Sequence, residues 1–134
     1  MNKFWLVVMG LALLVFGCAG FGQNVKDCGT DQQCFKDAMK ACTPAKAKIT
    51  EQGSTIEGLV KGFEGDNCVI NMKFVEAPLP IFKDKELTCK VPKADLETFS
   101  SGSGSSMGTE KMYQMCSGSF IDLMKSFTAG AGTK

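Results

Sequence analysis

The sequence predicts an α+β domain in which an N-terminal helix, a four-stranded antiparallel meander and a C-terminal helix form a disulfide-stabilised two-layer unit. Three observations support this prediction. Apolar residues recur with helical spacing near both ends of the chain, and four segments between them show strand-like patterns. Cysteines occur in both predicted helices and in two of the predicted strands. At 134 residues, the chain has room for one domain with a small core.

The first helix is predicted over residues 31–42. Thr30 can cap its N-terminus, and Gln33 completes a capping box three residues later. Pro44 disfavours helical geometry in the residue before it, so the helix should end at Thr43. The apolar stripe of this helix is Phe35, Met39 and Cys42. A helix of this length is marginal in isolation, so packing and disulfides must hold it in place.

Four strands are predicted over residues 45–51, 54–63, 68–76 and 86–91. Their connections are short, which favours antiparallel pairing of neighbours. The clearest strand places alternate side chains on one face, namely Cys68, Ile70, Met72 and Phe74. Gly58 and Gly62 interrupt the second strand, where glycines mark bulges or close packing.

The last helix is predicted to begin at Thr109 and to end at Ala129-Gly130, with Gly118 weakening its middle. Its apolar face comprises Met112, Met115, Cys116, Phe120, Leu123, Met124 and Phe127. Residues 100–106 form a Ser/Gly linker by composition. The order of elements is similar to that of the cystatin-like fold, but the inhibitory glycine-centred loop of cystatins is not recognisable, so inhibition is not implied.

Residues 1–22 have the pattern of a secretory signal, with a short positive start, an apolar run and then small residues. The apolar run is shorter than the roughly 20 residues of a membrane-spanning helix. Within it, Val15-Phe16-Gly17-Cys18 resembles the lipobox of prokaryotic lipoproteins, although Phe16 is larger than the usual residue there. The resemblance covers this segment alone. It implies that Cys18 is lipidated and anchors an exported protein to a membrane of the cell envelope.

Two other outcomes for this segment stay open: cleavage near Gly20 or Gly22 without lipidation, and retention as an uncleaved anchor. Both cleavage routes withdraw Cys18 from disulfide pairing. They leave an even set of six cysteines, Cys28, Cys34, Cys42, Cys68, Cys89 and Cys116. An even set in a small exported chain predicts up to three disulfides. We therefore assign residues 1–22 to targeting, 23–130 to one cysteine-rich domain and 131–134 to a frayed tail.

Helix geometry limits the disulfide pairing. Cys34 and Cys42 would lie about 12 Å apart along one helix, too far to bond to each other. We predict that the three cysteines near the first helix pair with the other three. A cross-strand bridge between Cys68 and Cys89 is the main alternative.

Composition excludes several classes of function. The chain has no His, which removes a Ser-His-Asp triad and His metal ligation, and no nucleotide-binding glycine motif occurs. Its fifteen basic residues are all Lys, and fourteen acidic residues leave a net charge of +1, so no nucleic-acid partner is expected. The sequence identifies no catalytic residue and no cofactor. It favours a non-enzymatic binding or structural domain for an unidentified protein, polymer or small ligand.

Two chemical alternatives use the sulfur atoms. Met112, Met115 and Cys116 share one face of the predicted helix, and thioether and thiolate ligands suit Cu(I). Methionines at helical spacing more often fill a core. Thiol-redox chemistry usually needs a closely spaced cysteine pair such as C-x-x-C, whereas the nearest spacing here has five residues between cysteines.

Overall fold

The computed structural model describes residues 24–101 and 107–131. The predicted targeting segment with Cys18, residues 102–106 of the Ser/Gly linker and residues 132–134 of the predicted tail lie outside this range. The strands are β1 (Lys26–Gly29), β2 (Ala45–Glu51), β3 (Ser54–Glu64), β4 (Asn67–Glu76), β5 (Glu86–Pro92) and β6 (Cys116–Ser117). The helices are α1 (Gln32–Ala41), α2 (Leu96–Ser100), α3 (Thr109–Met115) and α4 (Ser119–Ala131), with 3-10 turns at Pro80–Phe82 and Lys93–Asp95.

The strands form one mixed sheet in the order β1-β2-β3-β4-β5-β6. β1 runs parallel to β2, and every other neighbouring pair is antiparallel. The predicted fold class is therefore wrong: the domain is not a four-stranded antiparallel meander between an N-terminal and a C-terminal helix. Two strands were missed, one before α1 and one inside the predicted last helix.

The missed strand β1 precedes α1 and makes a parallel β1–α1–β2 unit. Lys26 pairs with Ala45, and its backbone N–H donates to the carbonyl of Pro44 at 3.0 Å. Of its four residues, only Cys28 is buried. A strand this short carries no alternating pattern, so backbone pairing with β2 creates it without a signal in the sequence.

The predicted last helix is broken by β6. Cys116 pairs with Cys89 of β5, and Ser117 pairs with Thr88. The chain then turns at Gly118, whose φ is +120°. A Cβ atom there would lie 2.6 Å from the carbonyl oxygen of Glu86, so only glycine fits this close approach of β5. Sheet pairing therefore overrides helical spacing at this point.

Helix α1 begins one residue later than predicted. Asp31, not Thr30, is its N-cap, because the Asp31 carboxylate accepts a hydrogen bond from the backbone N–H of Cys34 at 3.1 Å. Gln33 donates instead to Asp37, at 2.9 Å. The helix ends at Cys42, which adopts the left-handed conformation with φ at +52°.

The four helices found within the described residues all contribute to the layer on one face of the sheet. Closest packing occurs under α1, where the Phe35 ring lies directly on Gly58 of β3 and a Cβ there would overlap the ring. Gly58 is thus a site of close packing, and Gly62, with φ at +107°, follows a register shift in β3. The largest fully buried side chains of the core are Val60, Cys68, Ile70, Cys89, Val91 and Ile121.

On the other face of the sheet, β2 presents charged side chains. In β2, Lys46 and Lys48 are exposed and alternate with the buried Ala45 and Ala47. Lys48 lies 3.8 Å from Glu57 of β3 in an exposed ion pair. Such pairs contribute about 1 kcal/mol or less, so the helix-covered face dominates the stability of the sheet.

Candidate functional site

An apolar groove lies between the helices on the covered face, with a volume of about 500 Å³. This is within the size range of small-ligand pockets, about 300 to 1,000 Å³. One wall is built from Phe35 and Met39 of α1 together with Phe99 of α2. The opposite wall includes Met112 of α3 and Phe120 of α4. The groove therefore separates a first block of helices, α1 and α2, from a second block, α3 and α4, and both blocks rest on one sheet.

The floor of the groove is the sheet itself. Three neighbouring strands, β3, β4 and β5, supply Ile56, Met72 and Leu87. Register explains why these side chains meet, because Met72 pairs with both Gly58 and Leu87. Gly58 supplies no side chain, and the Phe35 ring lies on its backbone, so Phe35 also covers this part of the floor.

An aromatic cluster beside the groove fixes the start of α4. Phe120 stacks on Phe74 of β4 with ring centroids 4.9 Å apart, and Phe82 lies against it at 5.9 Å. Ser119 accepts a hydrogen bond from the backbone N–H of Glu86 at 3.1 Å. These contacts fix the first turn of α4, and thereby the wall that carries Phe120.

The polar residues of the lining include Gln32, Lys36 and Glu51. Lys36 is half-buried, whereas Glu51 is exposed. Five of the thirteen lysines that the structure describes form ion pairs, namely Lys40, Lys46, Lys48, Lys90 and Lys111. Within residues 24–101 and 107–131, no acidic group lies within ion-pair distance of Lys36. The described lining thus combines an apolar interior with a half-buried cation, Lys36, and an exposed anion, Glu51, neither of which forms an ion pair.

Three disulfides use all six cysteines of the domain: Cys28–Cys34, Cys42–Cys68 and Cys89–Cys116. The predicted disulfide stabilisation is confirmed, but the predicted pairing scheme is wrong for two of the three bridges. Cys28 bonds to Cys34 within the β1–α1–β2 unit, because β1 places Cys28 beside the start of α1. The Cys68–Cys89 alternative is also wrong, since Cys89 faces Cys116 across the β5–β6 pair. Three disulfides are typical of a domain that folds outside the reducing cytoplasm.

The alternative copper ligands, Met112, Met115 and Cys116, do not form the set expected from the sequence. Cys116 is bonded to Cys89, so its sulfur is not a thiolate, and Met115 lies outside the groove lining. Four methionines line the groove instead: Met39, Met72, Met107 and Met112. Among the residues that the structure describes, no group of three His, Cys, Asp or Glu side chains is placed to hold a metal ion. The six cysteines of the domain are all oxidised, so none of them is a free thiol.

Sequence reasoning missed the groove itself. The composition held one signal for it, since eight methionines and ten phenylalanines are present in 134 residues. Methionine packs irregular gaps and is frequent on adaptable binding surfaces. The sequence pattern places these residues on apolar faces, but it does not show that the two helical blocks stay apart.

No protein-family model, curated protein or solved structure matches this chain. Neither of the two described segments contains a helix long and apolar enough to cross a membrane.

Proposed function

We propose that the protein is an exported, non-enzymatic envelope protein, anchored through lipid on Cys18, whose disulfide-stabilised domain binds an apolar ligand in the groove. The observation that carries the binding role is the groove of about 500 Å³, lined mainly by methionine and phenylalanine side chains. Binding pockets for small ligands are typically concave and apolar, with a few polar groups that orient the ligand. Gln32, Lys36 and Glu51 supply such groups here.

The disulfides support this role because they hold both walls of the groove. Cys42–Cys68 ties the end of α1 to β4, and Cys89–Cys116 ties the α3–α4 block to β5. Closing the groove would require the walls to move against these bonds. A pocket that stays open before its ligand arrives costs less ordering entropy on binding.

The experiment uses a dodecanol probe that carries a photoreactive diazirine on its chain. The probe is added to membranes that contain the exported chain, and the sample is irradiated. Mass spectrometry then identifies the labelled peptides. We expect label on the α1, β4 and α3 segments. The variant Met112→Glu places a charge in the wall and should reduce this labelling at least tenfold, because burying an unpaired charge is costly.

The matched control is Gln114→Glu, which adds the same charge to an exposed position of α3. It should label like the natural chain. A second variant, Met112→Trp, fills the groove without adding charge and should also reduce labelling. Equal labelling of all four proteins, or no label on the groove segments of the natural chain, would reject the binding role.

The anchor is tested separately from the groove. Incorporation of labelled palmitate into the exported chain should depend on Cys18 and should be lost in Cys18→Ala, and globomycin should block processing of the precursor. An exported chain that carries no lipid would reject the anchor while leaving the groove unaffected.

A soft-metal site is the second candidate, because four methionines line one groove and thioethers suit Cu(I). Substitution of Met72 and Met112 by Leu separates the two functions, since leucine keeps the volume and apolar character. Cu(I) binding would be lost in this double variant, whereas dodecanol labelling should remain within about twofold.

A further inference from the structure

The lining of the groove identifies the class of ligand, if the binding role proposed above is accepted. We propose that the groove selects a single-chain amphiphile with a carboxylate head group, whose chain lies over the apolar floor and whose carboxylate is bound by Lys36 and Gln32. The charge and the geometry of α1 both lead to this assignment.

The first argument is the position of the charge. Lys36 lines the groove and is half-buried, and a lysine in such a place can cover apolar surface with its aliphatic stem while its ammonium group stays solvated. No described acid pairs with it. Its helix offers none at the spacings that bring side chains together: Gln32 and Lys40 are four residues away, and Gln33 and Met39 are three. An anionic ligand would provide the missing partner.

The second argument is the donor next to it. Gln32 precedes Lys36 by four residues, so the two side chains are neighbours on one face of α1, and both line the groove. The Gln32 amide offers two N–H donors and the Lys36 ammonium offers three. A carboxylate has two oxygens and can accept from both groups, whereas an amine would meet a like charge.

Among the lining residues that the structure describes, Glu51 is the one acidic side chain, and it opposes this selection. Glu51 is exposed, so its charge is screened by water and acts weakly on a ligand in the groove. Its removal should therefore strengthen carboxylate binding slightly. Removing Glu51 therefore gives a second, independent test, because it should change carboxylate binding in the opposite direction to the removal of Lys36.

The test compares three photoreactive probes with the same dodecyl chain and different heads: dodecanoate, dodecanol and dodecylamine. Each is added to membranes containing the exported chain, and label on the groove segments is normalised to label on bulk membrane protein. Lys36→Gln should reduce dodecanoate labelling about fivefold, the size expected for loss of one partly exposed ion pair. Dodecanol labelling should not change. Lys36→Glu should lower dodecanoate labelling further and raise dodecylamine labelling.

The control is Lys61→Gln, which removes the same charge from an exposed position of β3 outside the groove lining and should alter none of the three probes. Glu51→Gln should raise dodecanoate labelling up to about twofold. The proposal is overturned if dodecanol labels the groove but Lys36→Gln leaves dodecanoate labelling unchanged. If dodecanol itself fails to label the groove, the proposed function fails and this inference fails with it.

Discussion

The two walls of the groove rest on the same face of one sheet but are held in different ways. α1 buries Phe35, Ala38 and Met39 against the sheet, and the Phe35 ring rests directly on the backbone of Gly58. In α4, Ile121 near the N-terminus is 1% exposed, whereas Phe127 two turns later is 50% exposed. One wall is packed along its length, and the other is held at one end.

The difference originates in the strands below each wall. Under α1, the sheet presents Ala45, Ala47 and Gly58, small residues that let a helix approach closely. Towards α4, it presents Met72 and Phe74, and the Phe74 ring stacks on Phe120. The first wall therefore packs on small residues of the sheet, and the second wall packs on bulky ones.

The largest effect is expected from removing a phenylalanine of the packed wall. Phe35→Ala deletes a ring that is 4% exposed and should lower the free energy of unfolding by about 4 kcal/mol. Phe127→Ala makes the same chemical change on the other wall, at a side chain that is half exposed, and should cost about 1 kcal/mol or less. Denaturant unfolding of the oxidised protein measures both. Similar losses in the two variants would show that the walls are packed alike.

The two long disulfide loops give the next test. Cys42–Cys68 and Cys89–Cys116 close loops of nearly equal length, with sequence separations of 26 and 27. The chain-entropy estimate for either bridge is about 3.5 kcal/mol. Replacing both cysteines of one bridge by alanine should therefore lower the free energy of unfolding by a similar amount in each case.

Local dynamics should nevertheless differ between these two double variants. Without Cys42–Cys68, α1 is still packed through Phe35 and its amides should remain protected from hydrogen exchange. Without Cys89–Cys116, the second block is held mainly at the start of α4 by Phe120 and Ile121, so the amides of α3 and of the later turns of α4 should exchange faster. Hydrogen exchange read by mass spectrometry distinguishes the two. Faster exchange of α1 in the first variant would contradict the difference drawn between the walls.

The same contrast explains how far the sequence predicts the fold. The predicted strand at residues 68–76 lies within β4, because a half-buried strand shows its faces in alternate residues such as Ile70 and Met72. β1 and β6 were missed because pairing with β2 and β5 creates them: β1 is too short to alternate, and Cys116 lies in a helical pattern. Pairing of Cys89 with Cys116 depends on that same tertiary contact.

The candidate site was less predictable than the strands. The helical spacing of a methionine such as Met112 predicts a core residue. The side chain is partly buried and packs against the core, as predicted, but it also lines the groove. Whether it meets another helix or an open groove depends on how closely α1 and α4 approach. The helices pack on residues of different strands, such as Gly58 beneath Phe35 and Phe74 against Phe120, and local sequence does not relate these strands.

The smallest expected effect concerns how each wall begins. α1 has a side-chain cap, Asp31, whose carboxylate accepts from the Cys34 N–H, whereas α3 begins after Gly108 without one. Asp31→Ala should cost about 1 kcal/mol in the free energy of unfolding, because it leaves a helix-end donor without its partner. Thr30→Ala should change stability by less than about 0.5 kcal/mol, since Thr30 is exposed and does not cap the helix. Because the Cys28–Cys34 disulfide also holds this end of α1, the loss in Asp31→Ala should grow when that bridge is reduced. A larger loss of stability in Thr30→Ala than in Asp31→Ala would show that Thr30, the residue predicted from the sequence, caps the helix. The packed wall would then begin one residue earlier.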